Sequence, residues 1–285
     1  MANHRMGRLL AALFAVVMMA ALVAACDDDD NGNGDGDGES ITIGIANEAP
    51  YGFEEDGEAT GEAPALAEEI LSRMDYDNVD FVVADFGALI AGLNADRFDI
   101  IAAGMFINPE RAQEVLFTDP DYCAFQSFGV PEGNPDDLTD FASIADSGVT
   151  LGILSGAVEE GYAQDAGVSA DQIDAYETAP DLFDALAAGR IDAVGLTSVT
   201  VEYNTQELDG FESTEPFIPT IGGEEEQGCG AFAFRTDEQE LRDEFNDVLN
   251  EMKENDEILP IVEEFGFTEA EIDAAKGVTV EDLVG

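Results

Sequence analysis

Basic residues are scarce in this chain: 10 lysines and arginines stand against 64 acids, for a formal charge of −54 over 285 residues. Only Lys253 and Lys276 are lysines. Such a surface repels phosphate backbones and anionic bilayers, which excludes nucleic acid as a partner. Unscreened, the charge would also destabilise a compact state, so a high-salt environment with a short Debye length is expected. An acidic disordered chain is excluded because apolar residues are abundant and periodic. The one histidine is His4, in a stretch expected to be removed. Without an imidazole, an activated nucleophile or metal-ligand spacing, neither a cofactor, a metal nor catalysis is expected. Carboxylate acid–base chemistry at Glu48 is the one enzymatic route left open. Cysteine is limited to Cys26, Cys123 and Cys229.

A single long apolar run exists, Leu9 to Ala25, preceded by Arg5 and Arg8. It predicts an export signal over residues 1–25, and it is short for a retained membrane span. Leu22-Val23-Ala24-Ala25-Cys26 resembles the bacterial lipobox, in which the cysteine is lipidated and becomes the new N-terminus. The chain is therefore expected outside the cell membrane, held to it by lipid on Cys26. Residues 26–39, ending DDDDNGNGDGDGE, form an acidic flexible tether. Their Asp/Asn/Gly alternation suggests a calcium loop, but the twelfth position falls on Ser40, Thr42 or Gly38 rather than a bidentate acid.

From Ile41 the apolar pattern alternates between strand and helix periods. Strands are expected at 41–46, 81–84, 100–104, 125–130, 150–154, 173–176, 191–196 and 230–234. Helices are expected at 64–74, 86–93, 157–166, 181–188, 238–253, 257–265 and 268–275. This order predicts an α/β fold of two lobes, 40–124 with 230–285 and 125–229, the first resumed by the end of the chain. The stretch RFDIIAAGMFINPER, 97–111, organises it. A buried strand runs into Asn108, a good N-cap, and Pro109 suits the first helical position. That places Arg111 in a first turn beyond a strand end, where open α/β sheets bind ligands. An arginine there opposes the helix dipole, so an anion is expected in front of it, beside the Phe106 ring. Taken alone, Phe106 as core and Arg111 as a surface charge would be the better account.

The motifs taken together decide otherwise. IGIANEAPY, GEAPALAEEI, FDIIAAGMFINPER and GCGAFAFR, behind a lipobox and tether, resemble the solute-binding proteins of ABC importers. The resemblance is to family 3, the amino-acid-binding branch, and runs from Ile41 to about Phe267. NEAPYGF, DFGALIAGL, AAGMFINPER, GAVEEGYAQDAG and FGFTEAE are similar, within it, to the ectoine- and hydroxyectoine-binding members. Two departures from ordinary amino-acid binders agree. Gly156-Ala157-Val158 stands where they usually carry Gly-Thr-Thr, and Thr197 stands where they place an aspartate against the ligand's α-amino group.

The resemblance implies a two-lobed, type II periplasmic-binding-protein-like fold with two hinge strands and one small solute in the cleft. It further implies a monomer that delivers this solute to ABC permease subunits. Ectoine is a zwitterion with a carboxylate on a ring of delocalised amidinium charge. On that reading Arg111 clamps the carboxylate bidentately, and the Gly104, Gly156 and Ala157 amides donate to the ligand. Tyr51, Phe86 and Phe106 cage the ring charge, each desolvated cation–π contact contributing about 2 kcal/mol. Glu48 accepts from the ring N–H groups, and Thr197 completes the set. Another polar amino acid or small zwitterion, and a dehydratase on the same fold, are the alternatives. Cys123 and Cys229 fall where the hinge strands run; the exported setting permits a disulfide, and pairing or two free thiols both stay open.

Overall fold

Uninterrupted apolar runs mark strands buried on both faces. The computed structural model, which describes residues 40–285, assembles such runs into two mixed sheets. The strands begin with β1 (Ser40–Ile45), the hairpin β2 and β3 (Phe53–Glu55, Glu58–Thr60), β4 (Asn78–Val83) and β5 (Ile100–Phe106). β6 (Leu116–Phe117), β7 (Tyr122–Ala124), β8 (Gln126–Pro131), β9 (Leu151–Leu154) and β10 (Ile173–Tyr176) follow. Last come β11 (Ala193–Thr197), β12 (Phe211–Ser213), the hairpin β13 and β14 (Thr220–Ile221, Glu224–Glu225) and β15 (Gly228–Phe234). The helices up to the second crossing are α1 (Glu62–Arg73), α2 (Leu89–Leu93), α3 (Phe141–Ser147), α4 (Glu159–Asp165), α5 (Ala179–Ala187) and α6 (Ser198–Thr205). Four more close the chain: α7 (Gln239–Glu254), α8 (Leu259–Val262), α9 (Glu269–Ala274) and α10 (Val280–Val284).

The first sheet runs β4-β1-β5-β15-β6, with β7 also paired to β15; the second runs β10-β9-β11-β8-β12. In each sheet a parallel core, β4-β1-β5 or β10-β9-β11, carries an antiparallel strand beside it, β15 or β8. The parallel pairs require helical crossovers, which α1, α2, α4 and α5 supply. The chain passes between sheets after β7 and returns before β15. At that crossing Cys123 and Cys229 face each other in the β7–β15 pairing and are joined by a disulfide.

Long α7 shows how so acidic a chain still builds a core. It buries Phe245, Leu249 and Met252, spaced four and three residues apart on one face, and turns its acids to solvent. Arg235 offsets part of the surplus charge, bonding the Phe98 carbonyl and contacting Asp96, Asp99 and Glu238.

Local patterning anticipated most elements but not β6, β7, β12, α3, α6, α10 or the two hairpins. The turn after β5 differs most. The Asn108 side chain accepts from the Arg111 amide at 2.8 Å, as a cap does, yet only a single 3₁₀ turn, Arg111–Gln113, follows. Leu116 and Phe117 are drawn into the first sheet beside β15, and that pairing ends the helix before it can propagate. Among the described residues no helix is long and apolar enough to cross a membrane. The expected leader, Cys26 and the tether lie outside the described residues.

Candidate functional site

The C-terminal ends of β1 and β5 and the start of α6 meet at one narrow cavity of about 20 Å³. It is lined by Glu48, Tyr51, Phe86, Gly104, Phe106 and Arg111 on one side, and by Ala157, Val158, Glu159, Leu196 and Thr197 on the other.

A tight loop after β1 presents Glu48 and Tyr51. The Glu48 and Gly52 backbones bond reciprocally at 2.9 and 3.0 Å, so residues between them are pushed inward. Both side chains are fully buried. The Tyr51 ring packs on Tyr122 and Phe267, at centroid distances of 5.2 and 5.6 Å. Gly104 lets it in: at φ +60° this position suits glycine, and a Cβ there would strike the Tyr51 ring.

Arg111 is buried, and its guanidinium joins the two sheets. One Nη donates to the Phe106 carbonyl at 2.7 Å, the other to the Gly156 carbonyl at 2.9 Å. Its Cζ lies 5.4 Å from the Phe86 ring centroid, so this ring serves the protein's own cation as well as facing the cavity. Burial lowers the Arg111 pKa, while the nearby Glu159 charge opposes the fall. Two of its N–H groups are engaged with carbonyls, which leaves others of the five for a ligand anion.

From the second sheet, Thr197 ends β11 and caps α6 through its side chain. Its hydroxyl accepts from the Tyr51 hydroxyl at 3.0 Å and donates to Thr200 at 3.1 Å; Thr200 donates to Glu48 at 2.9 Å. Of the two amides expected at Gly156–Ala157, the structure engages that of Ala157 within the chain. Gly156, at φ +78°, turns the chain so that the Ala157 N–H bonds the Leu154 carbonyl, and α4 begins only at Glu159. Gly156 does not line the cavity; its carbonyl holds Arg111 instead.

Two carboxyls face each other across the cavity. Burial raises Glu48 to about 8, against the Thr200 hydroxyl and with help from the Glu159 charge. Burial likewise raises Glu159 to about 7, opposed by backbone hydrogen bonds, Arg111 and Gln126. Near neutrality the pair thus exchanges protons with its surroundings, and a cation between the two would hold both ionised. The site offers one guanidinium, two carboxyls and three aromatic rings, all on buried side chains. It has the groups to bind a small zwitterion. Among the described residues no group of histidine, cysteine and acids could hold a metal ion.

The model of the bacterial extracellular solute-binding proteins, family 3, matches residues 41–269. The chain belongs to this family. A probable amino-acid ABC transporter periplasmic-binding protein of Sinorhizobium fredii is 33% identical over 247 residues, covering 85% of this chain and 82% of that protein. The arginine-binding extracellular protein ArtP of Bacillus subtilis is 27% identical over 241 residues, covering 83% and 89%. Among solved structures, EhuB in complex with hydroxyectoine superposes with a TM-score of 0.77 at 32% identity, over 86% of this chain and 94% of that one. An ancestral arginine-binding protein bound to glutamine gives a TM-score of 0.69 at 25% identity, over 79% and 97%. The fold is thus the two-lobed, periplasmic-binding-protein-like α/β fold. The chain is a solute-binding protein of the amino-acid ABC-transporter type.

Within this family member, eight of the nine residues expected at the ligand line the cavity: Glu48, Tyr51, Phe86, Gly104, Phe106, Arg111, Ala157 and Thr197. Two buried polar groups were missed. Glu159 sits inside GAVEEGYAQDAG but is one acid among 64, and nothing local separates it from solvated ones. Thr200 lies three residues after Thr197, the spacing at which a helix cap's first turn meets the same partner; that was its only signal.

Proposed function

We propose that this protein is the extracytoplasmic receptor of an ABC importer for ectoine or hydroxyectoine and delivers that solute to the permease. One observation carries the reading: a guanidinium and two carboxyls share a small cavity with three aromatic rings; by the family resemblance, Thr197 also stands where an α-ammonium would need an aspartate. A carboxylate on Arg111, a delocalised ring cation against Tyr51 and Phe106, and ring N–H groups on Glu48 use the guanidinium, one carboxyl and two of the rings. The superposition with EhuB holding hydroxyectoine supports the same class of solute. Around this site we place the lobe boundaries at 124/125 and 229/230. After removal of residues 1–25 the receptor is a monomer, lipid-anchored through Cys26 on its acidic tether, and it works in salt-rich surroundings.

A second reading is favoured by a specific observation. Several relatives are named arginine-binding proteins, and Glu48 with Glu159 could together receive a guanidinium. Calorimetry of the purified protein in high salt, with ectoine, hydroxyectoine, arginine, glutamine, proline and glycine betaine, separates the two. Tight binding of arginine or glutamine with none of ectoine would overturn the ectoine reading. Turnover of ectoine would overturn the receptor role itself.

A further inference from the structure

Helix α6 presents three polar side chains along one stripe, Thr197 at its cap, then Thr200 and Asn204, and all three engage the 48–51 loop of the other sheet. Asn204 donates to the Ala49 carbonyl at 3.0 Å. The Tyr51, Thr197 and Thr200 hydroxyls form a chain with spacings of 3.0, 3.1 and 2.9 Å that ends on a Glu48 oxygen. Thr200 is fully buried and does not itself line the cavity.

The direction of this chain is dictated by its end. Once Glu48 is ionised its carboxylate only accepts, so Thr200 donates to it and accepts from Thr197, and Thr197 in turn accepts from Tyr51. Every proton in the chain points toward Glu48, and donors aligned in this way strengthen one another in a dry interior. We propose that Thr200 is a positioning residue for the ligand site: its hydroxyl fixes the Glu48 carboxyl in place and favours the ionised, accepting form that the cationic part of the solute requires. This rests on the receptor reading above for the solute, but not for the effect on Glu48.

Glu48 is faced by Glu159 from α4, whose charge opposes its ionisation, by the Tyr51 hydroxyl from its own loop, and by Thr200 from α6. Of these, only the hydroxyl of Thr200 favours the ionised form through a direct bond.

The test replaces Thr200 by valine, which keeps shape and removes the donor, and by serine, which restores it. Infrared titration of each protein, taken as a difference against the same protein carrying E48Q, isolates the Glu48 carboxyl without any ligand. In T200V its midpoint should move up by about one pH unit, and in T200S return. Affinity for ectoine should fall about tenfold in T200V at pH 7 and recover at higher pH. If T200V does not fold, T200A supplies the same readouts. An unmoved Glu48 midpoint, or a loss of affinity equal at every pH, overturns the proposal. A moved midpoint in a protein that never binds ectoine sustains Thr200 and overturns the choice of solute instead.

Discussion

Glu62, the first residue of α1, and Asp121, on the crossing segment, are two buried carboxyls, each of which shifts the other's titration. Neither Glu62 oxygen has a hydrogen-bond partner among the described residues. Two carboxylates buried together repel and cannot donate to one another, so the pair is relieved when one of them keeps its proton. Burial, then the Asp121 charge, drives Glu62 well above its ordinary range; burial raises Asp121 to about 6, with Lys253 opposing. Glu62 therefore keeps the proton at neutral pH.

The sign of the pH dependence follows. Both groups bind protons more tightly folded than unfolded, so their stabilisation is complete below the unfolded values. It is lost as pH rises through Asp121's folded value near 6 and then toward that of Glu62. Glu62→Gln places a neutral group there that does not titrate. Its melting temperature should gain on the wild type as pH rises from 5 to 9. The gain at pH 9 should correspond to roughly 1–3 kcal/mol. Two melting curves that stay parallel over that range would count against the retained proton.

Arg111 gives a prediction with two separable readouts. Its fork spans the Phe106 and Gly156 carbonyls, and a lysine ammonium, a point charge on a different stem, cannot reproduce both bonds and a bidentate carboxylate contact. Arg111→Lys should weaken ectoine binding roughly 10–100-fold while lowering stability by about 1–3 kcal/mol. Calorimetry and chemical denaturation measure the two effects separately. Unchanged affinity would mean that Arg111 serves only to join the sheets.

Ligand binding should release protons. With Glu48 at about 8 and Glu159 at about 7 in the empty site, a cationic solute binds better once both carboxyls are ionised. Affinity should rise from pH 6 to pH 9. Binding heats at pH 7 should vary with the ionisation enthalpy of the buffer. Glu159→Gln should remove the part of the rise near pH 7 and leave that belonging to Glu48. Buffer-independent heats would exclude the linkage.

The parts of this molecule legible in its sequence are those where chemistry and spacing coincide locally. The β5 run of apolar residues declares a strand buried on both faces, and Asn108-Pro109 declares the turn that aims Arg111. Tyr51, Phe86 and Phe106 stand at strand or loop ends, where the fold brings such positions together. What stayed hidden depends on partners far along the chain. Glu159 differs from solvated acids only because it is buried beside Arg111. Thr200 matters because a loop 152 residues away docks on α6. The Ala157 amide looked free until the left-handed turn at Gly156 folded it back onto Leu154.

Phe106 is held in the cavity wall by a glycine on the neighbouring strand. Gly228 opens β15, and a Cβ built there would enter the Phe106 ring. The ring has little room to retreat, since Tyr122 stands behind it at 6.2 Å between centroids. Gly228→Ala should therefore push the ring into the ligand space and reproduce the binding defect of Phe106→Ala, a loss of about tenfold or more. Gly161, within α4, meets nothing within 4 Å of an added Cβ. Gly161→Ala should leave affinity intact and raise stability by about 0.5–1 kcal/mol, the helical preference for alanine. Calorimetry on the three variants decides the matter. Ligand binding in Gly228→Ala as tight as in Gly161→Ala would show that the Phe106 ring has no part in holding the solute.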